Sequence, residues 1–476
     1  MNFSFRSLSG ITILAVMCVP ALVFGQSQVV SYGIGASAYT AKDGNLPFWF
    51  YANTDGVVDP ESSNLITRLY SYYTSVDTAN SFRVRTGFDA YSRFSQNNTL
   101  VFNELYGSIG YKFIDLKVGR FYQTLGLTDD DLTMGSMIVS RNATPIPRIQ
   151  LSTNGFTDIP LMQGYVQFKA LFAHGWFDDE RYVSNPYLHQ KYFYLKINYK
   201  VIEAMGGIIH NVTWGGVDPD SGQLPSSFSD YLRVISGMGA APGAPGGEVT
   251  NVIGNSVGAY DFRLNLNFDD FQFKAYRLFY LEDKVSTRFR SPWDGIWGVG
   301  IELTDENSFI NEILWEHMNT KRQDSFDDEP RGTASYYYNF IYESGWTYEG
   351  NVIGNPLILA EPNPNFMMRG PISNNIIVAH HIGIQGRPAD RFRYKTFFTY
   401  SRNYGTVANQ RQQEQPYELI GRVDEYSMFF QAQYLLAPKY GLSLTGALAF
   451  DMGELYENNR LGFQLGIRWD RIIPVN

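Results

Sequence analysis

The chain has 476 residues, of which 44% are hydrophobic, 16% aromatic and 18% charged, with 44 glycines and a single cysteine. Its 38 basic residues against 47 acidic ones leave a net charge of −9, which argues against nucleic acid as a partner, because phosphate binding needs a basic surface. Beyond the first two dozen positions no apolar run approaches the roughly 20 residues that a membrane-spanning helix requires.

At the N-terminus Arg6 precedes an apolar stretch from Gly10 to Phe24, and the residues before Gln26 fit a signal-peptidase site. Residues 1–25 therefore read as a cleaved secretory signal. Cys18 follows Met17, a poor fit to lipoprotein processing, and its loss with the signal leaves a mature chain without cysteine. An exported chain with no disulfides draws its stability from other sources. Residues 26–476 contain no linker-like boundary and read as one domain.

From there onward short segments alternate apolar and polar residues, the period-2 signature of strands. Predicted strands cover 31–39, 64–76, 81–95, 99–112, 115–122, 146–154, 162–176, 189–200 and 204–216. They continue over 256–268, 271–283, 293–304, 307–321, 374–387, 391–404, 421–436, 439–453 and 459–470. In "FRVRTGFDAYSR" Arg83, Arg85, Asp89 and Arg93 share the polar side. In residues 259–268 Phe262, Leu264, Leu266 and Phe268 oppose Arg263, Asn265 and Asn267, and after the Asp269–Asp270 turn Phe271 and Phe273 oppose Gln272 and Lys274. Arg277 breaks that parity and calls for a bulge near Tyr276. In "NRLGFQLGIRWD" Leu461, Phe463, Leu465, Ile467 and Trp469 oppose Arg460, Gln464 and Arg468.

A soluble β-sandwich alternates too. Here, however, the segments run to about 10–15 residues where soluble strands average 5–6. Aromatics (Phe279, Tyr280, Tyr400, Tyr404, Trp469) gather at their ends, and tight turns alternate with long connections. Together these features predict an all-β fold: a closed antiparallel transmembrane β-barrel of about 18 strands in a bacterial outer membrane. The parity puts the tight turns on the periplasmic side and the connections 40–63, 123–145, 217–255, 322–373 and 405–420 outside.

The loop "LPFWFYAN" carries five large apolar or aromatic residues that water would not tolerate, and "RNATPIPRI" holds two prolines that resist ladder pairing. Both are expected to fold back into the barrel mouth and constrict the lumen. The candidate lumen or plug residues are Trp49, Tyr51, Arg141, Asn142, His189 and Lys191. Lumen-facing Arg and Lys are expected to pair with acids such as Asp89 and Glu104. The predicted external segments also set planar aromatics beside charged or amide groups, in Trp293, Trp346, Tyr348, Arg402, Asn403 and Arg411, and Trp293 is suited first of all to anchor at the membrane interface.

No catalytic set is legible. The six histidines show no metal spacing; adjacent His380 and His381 point to opposite faces, and His174 beside Trp176 reads as an interface residue with no serine partner. No metal, cofactor or enzymatic activity is expected.

The blocks "LPFWFYANTDGVVD" (46–59), "GRFYQTLGL" (119–127), "MGSMIVSRNATPIPRI" (134–149), "NPYLHQKYFYLKI" (185–197) and "IIHNVTWGG" (208–216) resemble the Wzi family of capsule assembly proteins. "SRNATPIP" with "NPYLHQKYFYLK" is the more specific pair. The resemblance implies an eighteen-stranded outer-membrane barrel with a blocked lumen, a surface lectin that attaches or organises capsular polysaccharide. Since a sugar site needs planar aromatics beside charged or amide groups, the resemblance makes Trp293, Trp346, Tyr348, Arg402, Asn403 and Arg411 the candidate polysaccharide contacts. Capsular or extracellular polysaccharide, outer-membrane lipid and polysaccharide export components are the implied partners. The periplasmic helices of better-known members have no evident counterpart, because only about five residues separate the signal from the first predicted strand. The alternative is a porin-like channel passing small solutes through a basic lumen.

Overall fold

The computed structural model describes residues 27–244, 248–249, 252–282, 291–323, 335–410 and 419–475. The signal segment and Arg411 lie outside these residues. The wall strands in chain order are β1 (Ser27–Ala41), β2 (Asn64–Asp77), β3 (Phe82–Phe94), β4 (Thr99–Tyr111), β5 (Ile114–Arg120) and β6 (Arg148–Thr153). There follow β7 (Val166–Trp176), β8 (Tyr187–Tyr199), β9 (Ile202–Trp214), β10 (Asn255–Asn267), β11 (Phe271–Glu282) and β12 (Gly295–Leu303). The last six are β13 (Glu312–Asn319), β14 (Ile377–Ala389), β15 (Phe392–Asn403), β16 (Val423–Ala437), β17 (Leu442–Gly453) and β18 (Arg460–Val475). Thr157–Asp158 prolongs β6 along the same neighbour, β7. Each strand pairs antiparallel with the next, and β1 closes on β18 over Gln28↔Val475 to Ala41↔Gly462. The result is a closed antiparallel barrel of 18 strands.

Why these residues make a cylinder follows from their alternation. Ile34, Leu69, Phe193, Phe262, Phe398 and Leu465 point outward and are exposed to the surroundings. Their neighbours point inward, and the inward face has two levels. Toward the external end it is apolar, with Tyr194, Ile209, Leu278, Leu314, Phe397 and Phe429 buried. Toward the periplasmic end it is polar, carrying Arg393, Lys395, Gln433 and Arg468 around a cavity of about 670 Å³. Arg68 grips Asp89 there with two hydrogen bonds of 2.9 Å. Glu104 makes no direct ion pair among the described residues; it accepts the Tyr72 hydroxyl at 2.6 Å and the Tyr122 backbone N–H at 3.1 Å.

Three expectations need correction. β10 and β11 pair without interruption from Val257↔Glu282 to Asn267↔Gln272, so no bulge resets the parity at Tyr276. Arg277 faces outward and satisfies its guanidinium on the carbonyls of Pro292 (2.8 Å) and Asp294 (2.9 Å), a long side chain reaching for the polar rim. His189 and Lys191 share the outward parity of exposed Phe193 and Leu195 and are not lumen residues. They escape lipid because α2 (Phe228–Ser236), from the 215–254 connection, lies over them: Tyr231 stands 5.6 Å from the His189 ring, and Lys191 donates to the Ile235 carbonyl. Tyr280, read as an end-of-strand aromatic, points into the interior and is buried.

The two faces make a testable contrast. Phe430→Arg, outward near the middle of β16, is expected to cost about 2–4 kcal/mol of folding free energy in lipid vesicles, whereas inward Gln433→Arg stays within about 0.5 kcal/mol. Urea titration of vesicle-inserted protein reads both.

Candidate functional site

Three external connections fill the upper half of the barrel. The first, 42–63, enters as the short helix α1 (Phe48–Tyr51), with Phe48, Trp49 and Phe50 buried. The second, 121–147, brings Leu125, Leu132, Met134, Met137 and Ile138 into the same apolar core. The third, within 335–376, adds Tyr336, Tyr337, Trp346, Tyr348, Ile353 and Ile358. The middle segment is clamped between its neighbours. Trp346 Nε1 donates to the Ile138 carbonyl at 2.8 Å, the Tyr337 hydroxyl to Met137 at 2.6 Å, and Asn142 Nδ2 to Val352 at 3.1 Å. On its other side Asn142 Oδ1 accepts the Asn53 backbone N–H at 3.3 Å.

The wall is shaped to receive this plug. A Cβ at Gly383 would sit 2.7 Å from the Leu132 side chain, and one at Gly462 would sit 2.7 Å from both Phe50 and Pro47, so the wall strands need glycine where the plug touches them. Isolated inward carboxylates take up the loops' orphan N–H groups. Asp451 accepts from Phe48 N at 2.7 Å, Glu316 from Met134 N at 2.5 Å, and Asp261 from Leu127 N at 2.7 Å. His381 bridges the Thr399 hydroxyl and the Leu132 carbonyl, each at 2.8 Å, while Trp49 Nε1 donates to Thr399 at 3.2 Å. Lys274 meets Asp129 of the middle loop at 3.1 Å and Glu312 of the wall at 2.6 Å. The sequence offered a signal for these anchors: Asp451 in "LTGALAFDMG" is the lone acid of an apolar strand, and Glu316 in "ILWEHM" shares its face with Leu314 and Met318. A buried carboxylate needs a donor.

Arg141 and Asp55 form the polar underside of the plug. The Arg141 side chain is half exposed to the cavity below, and Asp55 is buried against it. Burial pushes the Asp55 carboxyl up to about 6, although the Arg141 guanidinium pulls the other way.

Above the plug lie two adjoining external grooves. One, of about 390 Å³, is lined by Tyr51, Arg93, Asn97, Asn142, Glu349 and Asn351. The other, of about 290 Å³, is lined by Asn45, Asn363, Glu457, Asn458, Asn459 and Arg460. Both include Pro60, Glu61 and Glu361, and Tyr51 meets Tyr456 hydroxyl to hydroxyl at 3.1 Å beneath them. Burial holds Glu349 and Glu361 above the usual carboxylate range, against the pull of Arg120 and Arg460.

The predicted sugar contacts scatter. Trp346 and Tyr348 are wholly buried in the plug core and offer no face for stacking. Asn403 is buried, bonded to Ser401 Oγ at 2.9 Å and Asn374 Nδ2 at 2.8 Å. Arg402, one residue away, faces outward from the wall. Trp293 is 60% exposed and stacks on Trp297 at 6.4 Å beside the Arg277 cluster, the setting of an interfacial anchor. Of the predicted plug residues, Trp49, Tyr51, Arg141 and Asn142 meet around the plug. His210 and Ser256, not singled out beforehand, lie 3.3 Å apart on the outer face, with the serine buried.

The model of the family described as capsule assembly protein Wzi matches residues 44–358, which take in the middle plug segment whole, nearly all of the first and the third as far as Ile358. The chain belongs to the Wzi family. Among solved structures it is similar to Wzi of Escherichia coli, described as an outer-membrane, carbohydrate-binding β-barrel involved in group 1 capsule assembly. That match has 14% identity, a TM-score of 0.58, and covers 91% of this chain and 83% of the other. The chain is also similar to OccK5 (OpdH) of Pseudomonas aeruginosa, at 10% identity and a TM-score of 0.48, over 95% and 99% of the two chains. Comparison with curated proteins gives no match. A Wzi-family barrel resides in the outer membrane, so the outward apolar wall of this one faces lipid.

The Asp55–Arg141 pair supplies a pH test. Because Asp55 sits above its unfolded value of 3.8, its burial costs nothing below that value and costs progressively more as pH rises to about 6, above which the full penalty stands. Arg141→Ala removes the cation that offsets this cost. The variant's stability deficit in urea should be small at pH 5 and grow to about 1–2 kcal/mol at pH 8, less than for a fully buried pair because Arg141 is half exposed.

Proposed function

We propose that the mature chain, a single barrel domain after loss of residues 1–25, retains capsular or extracellular polysaccharide at the cell surface, with the polymer held in the paired grooves above the plug. The observation that carries this reading is the stacking of a polar, concave outer surface on a lumen packed with apolar side chains. Amide and carboxylate groups suit hydroxyl arrays, and Tyr51 offers an apolar face between them. The relative's description as a carbohydrate-binding barrel supports the same ligand class. Glu61, Glu349, Glu361 and Glu457 outnumber Arg93 and Arg460 in the grooves, which favours a neutral or amine-bearing sugar over a polyanion. The role is retention of a polymer delivered by export components, not its chemical conversion. Arg411 remains a proposed contact. The channel reading has the basic cavity of Arg393, Lys395 and Arg468 in its favour, but that cavity ends at the plug.

The test is retention of purified capsular polysaccharide on immobilised protein. Asn351→Ala and Glu361→Gln are each expected to weaken it about 5- to 10-fold, one lost hydrogen bond apiece. Unchanged retention in the double variant removes the grooves from the reading, and steady nanosiemens-scale conductance of the intact protein in a planar bilayer favours the channel instead.

A further inference from the structure

The outer wall carries a polar patch that neither the plug nor the grooves use. Reading across six strands on the lipid side, Arg277 stands opposite Trp297, Trp297 opposite His317, His317 opposite His380, His380 opposite Tyr400, and Tyr400 opposite Tyr426. Arg402 is the next outward residue of β15 toward the external rim. The row just below it, Val299, Trp315, Ile382, Phe398 and Met428, is apolar and exposed throughout. Two residues along a strand separate the rows, about 7 Å.

Charge on this face carries a cost that grows with depth, so each polar group here needs an explanation. Arg277 has one: its guanidinium carbon lies 4.1 Å from the Phe279 ring centre and 4.4 Å from that of Trp297, and its nitrogens reach rim carbonyls. His317 Nδ1 lies 3.0 Å from the Ala379 carbonyl, and its ring stacks on His380 at 4.6 Å. Arg402 is different: its Nε, like that of Arg277, is buried without a partner, but whereas the terminal nitrogens of Arg277 reach rim carbonyls, those of Arg402 make no hydrogen bond among the described residues. The carboxylate opposite it, Asp424, is engaged by Arg422 at 2.7 and 2.6 Å.

We propose that Arg402, with His317 and His380 beside it, binds the phosphate of a phosphorylated outer-leaflet glycolipid whose acyl chains run down over Trp315, Ile382, Phe398 and Met428. A guanidinium presents paired donors to a tetrahedral oxyanion, the His380 imidazole N–H extends the same cradle, and His317, whose Nδ1 donates to the Ala379 carbonyl, adds an Nε2 donor when the phosphate draws it into the imidazolium form. The greasy row below lies where the acyl chains of such a lipid begin, and the patch is continuous with the wall that already contacts lipid. A free sugar polymer would leave that row unmatched.

The experiment uses detergent-solubilised full-length mature protein and native mass spectrometry to count bound lipid. The probes are bis-phosphorylated lipid A, lipid A stripped of its phosphates, and phosphatidylcholine. Bis-phosphorylated lipid A should be retained about tenfold more than either of the others, a preference that Arg402→Gln with His317→Gln and His380→Gln abolishes and Arg402→Lys partly keeps. Heat-shifted gel mobility shows that each variant is folded. Equal retention of the three lipids, or a preference unchanged in the triple variant, overturns the proposal. So does displacement of bound lipid by millimolar inorganic phosphate, or by capsular polysaccharide, which would mark the patch as an ion or sugar site.

Discussion

Closure of β1 on β18 is the constraint from which the rest follows. A backbone N–H or C=O left unpaired in hydrocarbon costs several kcal/mol, so a sheet crosses a membrane only when it has no edge. The ladder from Gln28↔Val475 to Ala41↔Gly462 removes that edge. A ring of 18 strands is wide enough to leave an aqueous channel, and this one is filled instead by its own connections. Since the fill is apolar above and the wall polar below, the inward face of a single strand changes character along its length, as β15 does from Arg393 and Lys395 to Phe397.

The plug converts a pore into a platform. Its rigidity comes from uniting three far-separated segments, each bonded to wall carboxylates and to one another. The grooves above are built from the tops of those same segments: Tyr51 from the first, Asn142 from the second, Asn351 and Glu361 from the third. A surface so supported would lose little conformational freedom on engaging the polymer proposed for it, which is the energetic advantage of preorganisation.

Much of the wall was legible from the chain alone, because period-2 alternation is written in the residues themselves: all eighteen strands appear close to their predicted places, including those at 31–39 and 146–154. Opposite orientation of His380 and His381 followed from the same rule and holds, one on the lipid side and one under Trp49. Alternation does not say which side a polar residue takes near a rim. His189 and Lys191 are polar yet outward because α2 covers them, and Arg277 is outward because loop carbonyls reach it. Loop aromatics were ambiguous for a related reason. Trp346 and Tyr348 have the composition of a sugar platform, but their burial depends on partners such as Ile138 and Asp178 that lie some two hundred residues away. Aromatic content is local information, whereas burial is not.

Distance along the chain also governs biogenesis. The amide of Phe48 is bound by Asp451, 403 positions later, and Trp49 by Thr399, 350 later. Whichever staves are laid down first, the first loop's aromatic cluster has no complete berth until both ends of the chain are in place, so the interior is sealed only together with the closing of the ring.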